Sequence, residues 1–191
     1  MTGNRIKATA GNGIRVDGAN NLVEKSKISD TGNRGVDLRG SGNVVTKNRV
    51  TNPSGIGLYV SETGIGNVFS RNTVIGGALD GARADIGGTT FLRNKIVGPG
   101  RHGIVLDGLG LHLVEGNSVT KAGEDALFVF DGTTNSMLIA NKLSKSQRGL
   151  VLFGDDTLVS RAKASGNLLF DLVDNAEGTT VLESNFSLVS P

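Results

Sequence analysis

The chain has 191 residues, no cysteine and a net charge of +2, from 20 basic and 18 acidic side chains. The absence of cysteine excludes disulfides and thiolate metal sites, and no apolar stretch is long enough to span a bilayer. The charges are interleaved along the sequence, so the pI near 9.0 indicates a small excess rather than a basic patch and gives little support to nucleic-acid binding. Abundant glycine, 29 residues, favours short strands joined by tight turns.

An asparagine followed two positions later by an aliphatic residue recurs along the chain. The repeat positions are Asn4, Ser26, Asn48, Asn72, Asn94, Asn117, Asn141 and Asn167, with serine filling one gap. Their spacings of 22 to 26 residues are typical of a solenoid. This repeat predicts a single domain over 1–191, with regular turns over 1–175 and a C-terminal cap over 176–191. Because the chain enters the repeat halfway through a turn, we expect a piece of a longer protein or a mature form given a new Met.

Each repeat contains three predicted strands in which apolar residues alternate, as half-buried strands require. The first strand follows a glycine (Gly13, Gly35, Gly55, Gly81, Gly103, Gly149) and reads Ile14/Val16, Val36/Leu38, Ile56/Leu58/Val60, Ala82/Ala84/Ile86, Ile104/Leu106, Leu127/Val129 and Leu150/Leu152. The second strand is expected to bury Val23, Val45, Phe69, Phe91, Val114, Leu138 and Ala164. The third is centred on Ile28, Val50, Val74, Ile96, Val119, Leu143 and Leu169.

Three short strands per repeat, each pairing with its equivalent one turn on, predict an all-β, right-handed parallel β-helix of about eight rungs of about 23 residues. A left-handed hexapeptide helix would need a shorter period. Buried asparagines at the repeat position would hydrogen-bond from rung to rung, which forms an asparagine ladder at a tight corner. Asn185 follows Asn167 by only 18 residues, so we expect the period to end there and the tail to cover the open end.

The pattern Gly-[Ile/Val]-x-[Val/Leu]-x-Gly followed by Asn-x-Val resembles the parallel β-helix repeat family of the pectate-lyase-like superfamily, which includes polysaccharide lyases, polygalacturonases, alginate epimerases and phage tailspikes. The resemblance covers nearly the whole chain. It implies a secreted module, extracellular or periplasmic, that binds or processes a carbohydrate at the face of the first strands. If the protein is an enzyme, it implies a polysaccharide lyase, epimerase or glycoside hydrolase.

A fold alone does not define a reaction. The alternative function is a non-catalytic solenoid with a structural, adhesion or assembly role, including a truncated or engineered scaffold. The short turns favour this alternative, because enzymes of the superfamily normally build cleft walls from long loops.

Residues that alternate with the buried ones on the first strands are expected to point outward in two columns. The first column is Arg15, Asp37, Gly57, Arg83, Val105, Phe128 and Val151, and the second is Asp17, Arg39, Tyr59, Asp85, Asp107, Phe130 and Phe153. Near the N-terminus this arrangement predicts ion pairs across rungs, between Arg15 and Asp37 and between Asp17 and Arg39.

The candidate catalytic residues are Asp85 and Asp107, with Tyr59 and Arg83 adjacent, and Arg39 is a candidate substrate-binding residue. Two carboxylates on neighbouring rungs are the arrangement that supplies a general acid with a nucleophile or base in glycoside cleavage. A lyase or epimerase would instead need a base such as Tyr59 and a cation such as Arg83 to neutralise a uronate. A solvated acidic pair before ordinary turns is the structural alternative.

A second candidate constellation lies where the chain enters the first strand. Asp80, His102, Asp125 and Arg148 occupy equivalent positions there, with Arg101 and Glu124 one place earlier. Carboxylates on both sides should favour the imidazolium, which could act as an acid. The Arg101-His102-Gly103 segment is similar to the His-Gly of polygalacturonases, but their paired aspartates and Arg-x-Lys element are missing. An alternating charge ladder is the structural alternative.

No metal site is predicted. Oxygen ligands for Ca²⁺ could come from Asp107, Glu124, Asp125, Asp155 and Asp156, but no calcium-binding repeat is present. His112 falls in a turn, where a surface position is expected.

The outward columns become apolar after Asp107. Their last members are Phe128, Phe130, Val151 and Phe153. Such a surface is expected to be covered: first by the tail through Leu182, Phe186, Leu188 and Val189, otherwise by self-association or a bound chain whose sugars stack on the rings. The predicted partner is therefore an acidic polysaccharide, with neither nucleic acid nor a membrane.

Overall fold

In a computed structural model, described over residues 1–61, 63–187 and 189, the chain winds into successive turns that contribute strands to three parallel sheets. Neighbouring strands in each sheet come from successive turns. The architecture is an all-β, right-handed parallel β-helix of about eight turns, as the repeat predicts. None of the described residues belongs to a helix that is long and apolar enough to cross a membrane.

Within the described residues each sheet collects one of the three strand types. Sheet I contains β2 (Ile14–Val16), β5 (Val36–Leu38), β8 (Leu58–Val60), β11 (Ala82–Ala84), β14 (Ile104–Leu106), β17 (Asp125–Val129), β20 (Arg148–Leu152) and β23 (Phe170–Asp174). Sheet II contains β3 (Leu22–Glu24), β6 (Val44–Thr46), β9 (Val68–Ser70), β12 (Thr90–Leu92), β15 (Leu113–Glu115), β18 (Met137–Ile139), β21 (Leu158–Ser160) and β24 (Thr180–Leu182). Sheet III contains β1 (Arg5–Lys7), β4 (Lys27–Ser29), β7 (Arg49–Thr51), β10 (Thr73–Ile75), β13 (Lys95–Val97), β16 (Ser118–Thr120), β19 (Lys142–Ser144), β22 (Lys163–Ser165) and β25 (Asn185–Phe186).

Apolar side chains from the three sheets fill the interior in stacked columns. In sheet II the inward column is Val23, Val45, Phe69, Phe91, Val114, Leu138 and Val159, each at most 1 % exposed. The rings of Phe69 and Phe91 stack with their centroids 5.3 Å apart. A shift of one residue in strand register would move such a column from the core to the solvent, so burial fixes the register.

The repeat asparagines form a buried ladder between sheets II and III. From Ser26 to Asn141, the backbone N–H of each repeat residue donates to the side-chain Oδ1 of the next, at 2.8–3.0 Å. The prediction of an asparagine ladder is therefore confirmed over these turns. A second ladder, which was not predicted, joins Asn21, Asn43 and Asn67 between sheets I and II.

The third turn is aligned differently from the prediction. β8 pairs in register with β5 and β11, so Ile56 precedes the strand. Gly57, and not Gly55, takes the glycine position before the strand. A Cβ on Gly57 would lie 2.5 Å from the carbonyl oxygen of Gly81 and 2.6 Å from Val74 Cγ1, so the corner requires glycine.

The asparagine pattern is wrong near the C-terminus. β19 pairs with β22, where Ala164 opposes the inward leucine, so Ala162 follows Asn141 at the ladder position. Asn167 lies in a different turn, where its Oδ1 accepts a hydrogen bond from the Ser146 N–H at 3.0 Å. The prediction failed because the third strand of this turn carries no asparagine before it.

Two inward positions change as a result of this shorter turn. Val159 of β21 takes the position predicted for Ala164 in sheet II. Leu169, which was predicted to lie inside, is 52 % exposed.

The C-terminal segment extends the solenoid beyond the predicted boundary at residue 175. β24 and β25 pair with β21 and β22, and Phe186 packs against the core. Leu182 and Val189 are 49 % and 51 % exposed, while Phe153 of the apolar surface is 39 % exposed. The described tail therefore does not cover that surface, and Leu188 lies outside the described residues.

Candidate binding site on the first sheet

The outer face of sheet I carries two columns of side chains. Strand pairing orders the first column as Arg15, Asp37, Tyr59, Arg83, Val105, Phe128 and Val151. The second column is Asp17, Arg39, Ser61, Asp85, Asp107, Phe130 and Phe153. Tyr59 therefore lies between Asp37 and Arg83, where Gly57 was predicted, and Ser61 takes the place predicted for Tyr59. This order follows from the two-residue change in the third turn.

Asp37 is the buried anion in the N-terminal part of this face. Its fully buried carboxylate accepts hydrogen bonds from Asn12 Nδ2 at 2.8 Å, Arg34 Nη1 at 3.1 Å and Arg39 Nε at 3.3 Å. Because two arginines share this carboxylate, the surface above it carries an excess of positive charge.

The ion pairs predicted across rungs are not formed. Arg15 Nε pairs instead with Asp17 at 2.8 Å on the same strand, just as Arg39 pairs with Asp37. Residues two apart on a strand point to the same side, which allows these side chains to meet without crossing to the next rung.

The four residues predicted as catalytic form one hydrogen-bonded network. Tyr59 Oη donates to Asp85 Oδ2 at 2.5 Å. Arg83 Nε donates to Asp85 Oδ1 at 2.5 Å, and Arg83 Nη2 donates to Asp107 Oδ2 at 2.8 Å. The guanidinium thus compensates two like charges on neighbouring rungs, which gives the aspartates a structural role as well as a position at the site.

Tyr59 is held as a protonated hydrogen-bond donor. Burial raises its pKa to about 12, and the hydrogen bond to Asp85 acts in the same direction. The guanidinium of Arg34 lies over the ring, with Cζ 3.6 Å from the centroid, in cation–π geometry. At neutral pH the phenol is therefore suited to donate a proton or a hydrogen bond and poorly suited to act as a base.

A groove of about 360 Å³ opens beside this network. It is lined by Arg34, Arg39, Tyr59, Ser61 and Thr63. The Ser61 and Thr63 hydroxyls lie 3.1 Å apart, and Thr63 also donates to the backbone carbonyl of Arg39. The lining therefore combines two guanidinium groups with hydroxyls and the edge of an aromatic residue.

The second constellation is also assembled, but it is buried. His102 is 5 % exposed, and its Nδ1 and Nε2 lie 3.1 Å from Asp125 Oδ2 and 3.3 Å from Glu124 Oε2. Its ring stacks on Phe128 with centroids 5.2 Å apart. Asp80 accepts a hydrogen bond from the His102 backbone N–H at 3.3 Å rather than from the ring. The imidazole is thus packed as part of the sheet surface.

Asp125 anchors this second cluster through Arg148. Arg148 Nε and Nη2 donate to its two oxygens at 2.5 and 2.9 Å. Burial would raise the pKa of Asp125, but its contacts with His102 and Arg148 outweigh burial and hold the pKa below the ordinary value. The alternating order Asp80, His102, Asp125, Arg148 is therefore a charge ladder along the strand starts, which was the structural alternative.

The apolar end of the face is a cluster of aromatic rings. Phe128 contacts Phe130 edge-on at 4.7 Å and Phe153 at 5.7 Å between centroids. Val151 is fully buried, whereas Phe153 is 39 % exposed. Sugar stacking and self-association through this cluster stay predictions.

Two sequence expectations about histidine and metals have different outcomes. His112, expected at the surface, is 1 % exposed in the turn before β15, and burial lowers its pKa so that the ring is neutral at pH 7. In the described part of the chain, no three or more His, Asp or Glu side chains are grouped as metal ligands would be. Ca²⁺ binding stays a prediction.

Sequence reasoning missed Arg34, Ser61 and Thr63. Arg34 occupies the position before the first strand that His102 occupies two turns later in the charge ladder, and this signal could have identified it. Ser61 and Thr63 were hidden by the alignment that placed Tyr59 two residues too far along the third turn.

Comparison with known proteins confirms the predicted resemblance to right-handed β-helix proteins. The profile of a family described as "Right handed beta helix region" matches residues 1–74. No curated protein matches the chain. Among solved structures, the A-module of mannuronan C-5 epimerase AlgE6 from Azotobacter vinelandii has a TM-score of 0.46 and 13 % identity, covering 98 % of this chain and 88 % of that chain. The AlgE4 A-module from the same organism has a TM-score of 0.43 and 8 % identity, covering 98 % and 86 %.

Proposed function

We propose that this β-helix binds an acidic polysaccharide along the outer face of sheet I, with the groove beside Tyr59 holding a uronate sugar. The observation that carries the proposal is the lining of the groove, where Arg34 and Arg39 stand beside the hydroxyls of Ser61 and Thr63. Guanidinium groups match the planar geometry of a carboxylate, and the hydroxyls can bond the sugar's own hydroxyls.

The contacts of the two arginines support this role. Arg34 is held by Asp37 and by the ring of Tyr59, so its position is set before a ligand arrives. The Arg39 side chain is 42 % exposed and contacts Asp37 through Nε, so its terminal nitrogens can turn toward the groove. A preorganised cation beside a more mobile one can orient a sugar carboxylate at low entropic cost.

Binding of a galacturonate trisaccharide, measured by calorimetry at low salt, tests the proposal. Arg39→Gln should weaken binding by about tenfold or more, because it removes a charge-assisted hydrogen bond. Arg15→Gln is the matched control: it also removes an exposed arginine with one aspartate partner from the same face, but outside the groove. Equal weakening by both variants, or no binding by the wild type, would refute the proposal.

Polysaccharide processing is the second candidate function, favoured by the network of Tyr59, Arg83, Asp85 and Asp107 at the wall of the groove. With Tyr59 protonated, the network suits an acid better than a base. Pectate, alginate and related uronans should be incubated with the protein, with and without Ca²⁺, while unsaturated ends and reducing sugar are followed. Turnover that Asp85→Asn and Asp107→Asn each abolish would support processing, whereas no turnover would leave binding or the non-catalytic solenoid.

A further inference from the structure

A stripe of cations runs along the outer face of sheet III and the turns that precede its strands. Its members, all exposed, are Arg5, Lys7, Lys25, Lys27, Lys47, Arg49, Arg71, Arg93 and Lys95. A depression of about 310 Å³ lies over its N-terminal part, lined in part by Arg5, Lys7, Lys27 and Arg49. The expectation that the excess charge makes no basic patch was wrong, because the period of the solenoid collects cations that are scattered along the sequence.

The cations of this basic stripe are stacked on one another instead of on anions. Arg5, Lys27 and Arg49 are direct partners in neighbouring strands of sheet III. Like charges directly opposite each other on parallel strands are destabilising. Among the described residues, the only salt bridges of the basic stripe join Lys25 and Lys47 to Glu24, at 3.2 and 3.8 Å. The fold therefore carries a repulsion that its own side chains do not relieve.

The turn before sheet III makes this choice of residues more informative. Lys25, Lys47, Arg71 and Arg93 have φ values of +53°, +56°, +54° and +53°. This left-handed conformation disfavours residues with a Cβ, and glycine adopts it freely. Gly116 does so at the same corner two turns later than Arg71. Four successive cations thus occupy positions that glycine would fill at lower cost, which points to an external use of their charge.

The spacing of the charges selects the partner. Parallel rungs repeat at about 4.8 Å, so the corner column offers one cation per rung along a straight line. A linear polyuronate carries one carboxylate per sugar at a similar repeat. Single-stranded nucleic acid is bound by cations combined with aromatic stacking, and none of the nine members of the stripe is aromatic. Duplex DNA is read by elements that enter a groove, which a flat sheet does not supply.

We infer that the basic stripe is a second docking surface, for a linear acidic polysaccharide lying along the solenoid axis. It rests on the proposed function only for the class of polymer, since it lies on a different sheet from the groove beside Tyr59. A long chain could be held along sheet III while another segment of the same polymer, or another chain, occupies sheet I.

The test compares two double variants that each remove two exposed cations from left-handed corner positions. Arg71→Gly/Arg93→Gly acts on the basic stripe, and Lys121→Gly/Lys145→Gly acts at the corner between sheets III and I, where φ is +60° and +58°. Because glycine suits this conformation, both variants should fold, and thermal unfolding checks this. Binding of long polygalacturonate at low salt should weaken at least about tenfold in the first variant, and by less than about threefold in the second. The affinity of the wild type should fall steeply as salt is added.

The outcomes separate this inference from the proposed function. Polygalacturonate binding that weakens in the stripe variant but persists in Arg39→Gln supports the stripe even when the trisaccharide does not bind the groove. Equal effects of the two double variants would overturn the inference. Binding of oligo-dT, duplex DNA or vesicles rich in phosphatidylserine as tightly as polygalacturonate, in each case lost in the stripe variant, would overturn the polysaccharide assignment. Methyl-esterified polygalacturonate, which lacks the charges, should not bind the stripe.

Discussion

The two charged faces of this solenoid treat their cations in opposite ways. On sheet I, Arg83 lies between Asp85 and Asp107, and Arg148 is paired with both oxygens of Asp125. On sheet III, arginines and lysines of successive rungs stack on each other. The difference teaches that a column of charge in a β-helix has to be judged by its neighbours: compensated charges on sheet I hold the rungs in register, while uncompensated charges on sheet III are available to a partner.

Asp125→Asn should give the largest change in stability and tests whether compensation on sheet I is structural. The substitution leaves the Arg148 guanidinium and His102 without their buried anion, so we expect a loss of about 3 kcal/mol in the free energy of unfolding. Urea unfolding at pH 7 measures it. Asp131→Asn, at an exposed position with no salt bridge among the described residues, is the control and should change little.

The same variant changes the response to acid. Because contacts with His102 and Arg148 hold the pKa of Asp125 below its ordinary value of 3.8, its contribution is fully present above that pH and is lost as pH falls through the lower folded value. Asp125→Asn should lose this acid-dependent part. Wild-type and variant stabilities that decline in parallel below pH 4 would contradict the assignment.

Arg83→Gln and Arg71→Gln make the comparison direct, since they are the same substitution on the two faces. Removal of Arg83 leaves Asp85 and Asp107 facing each other, and about 2 kcal/mol should be lost. Removal of Arg71 relieves repulsion, so no measurable loss is expected. Chemical unfolding of both variants under identical conditions measures the difference, and similar losses would show that charge compensation does not distinguish the faces.

Tyr59→Phe tests the hydrogen bond that joins the groove to the network. It removes the donor to a carboxylate and should cost about 1.5 kcal/mol. Because the pKa of Tyr59 is raised from 10.0 to about 12, its contribution is present below pH 10 and is lost as pH rises through about 12. Ultraviolet titration reads this pKa directly, since Tyr59 is the one tyrosine of the chain and there is no tryptophan. Ionisation near pH 10 would disprove the buried hydrogen bond.

Arg71→Gly should give the smallest effect, and of opposite sign. Glycine relieves the left-handed conformation, while it also increases the freedom of the unfolded chain, so we expect a gain of up to about 0.5 kcal/mol. Ala140→Gly, with φ of +54° at the same corner but without a charge, is the control. A gain shared by both variants assigns the effect to the backbone, and a clear loss with Arg71→Gly alone would mean that its side chain supports the fold.

The sequence by itself determined the architecture. Alternating aliphatic residues and asparagines at a period near 22 residues specify strands, inward columns and a ladder, because each of these depends on local spacing and on burial that repeats from turn to turn. Leu138 and Val114 could be placed inside in this way, and the structure confirms both.

Which outward side chains meet was decided by the tertiary structure. The turns vary from 21 to 24 residues, as the pairs Leu143 with Ala164 and Val50 with Val74 show. An error of two residues keeps an inward residue inside, since strands alternate with a period of two, but it moves an outward residue to another column. Tyr59 was displaced in this way, and the basic stripe could be recognised only once the rungs were stacked.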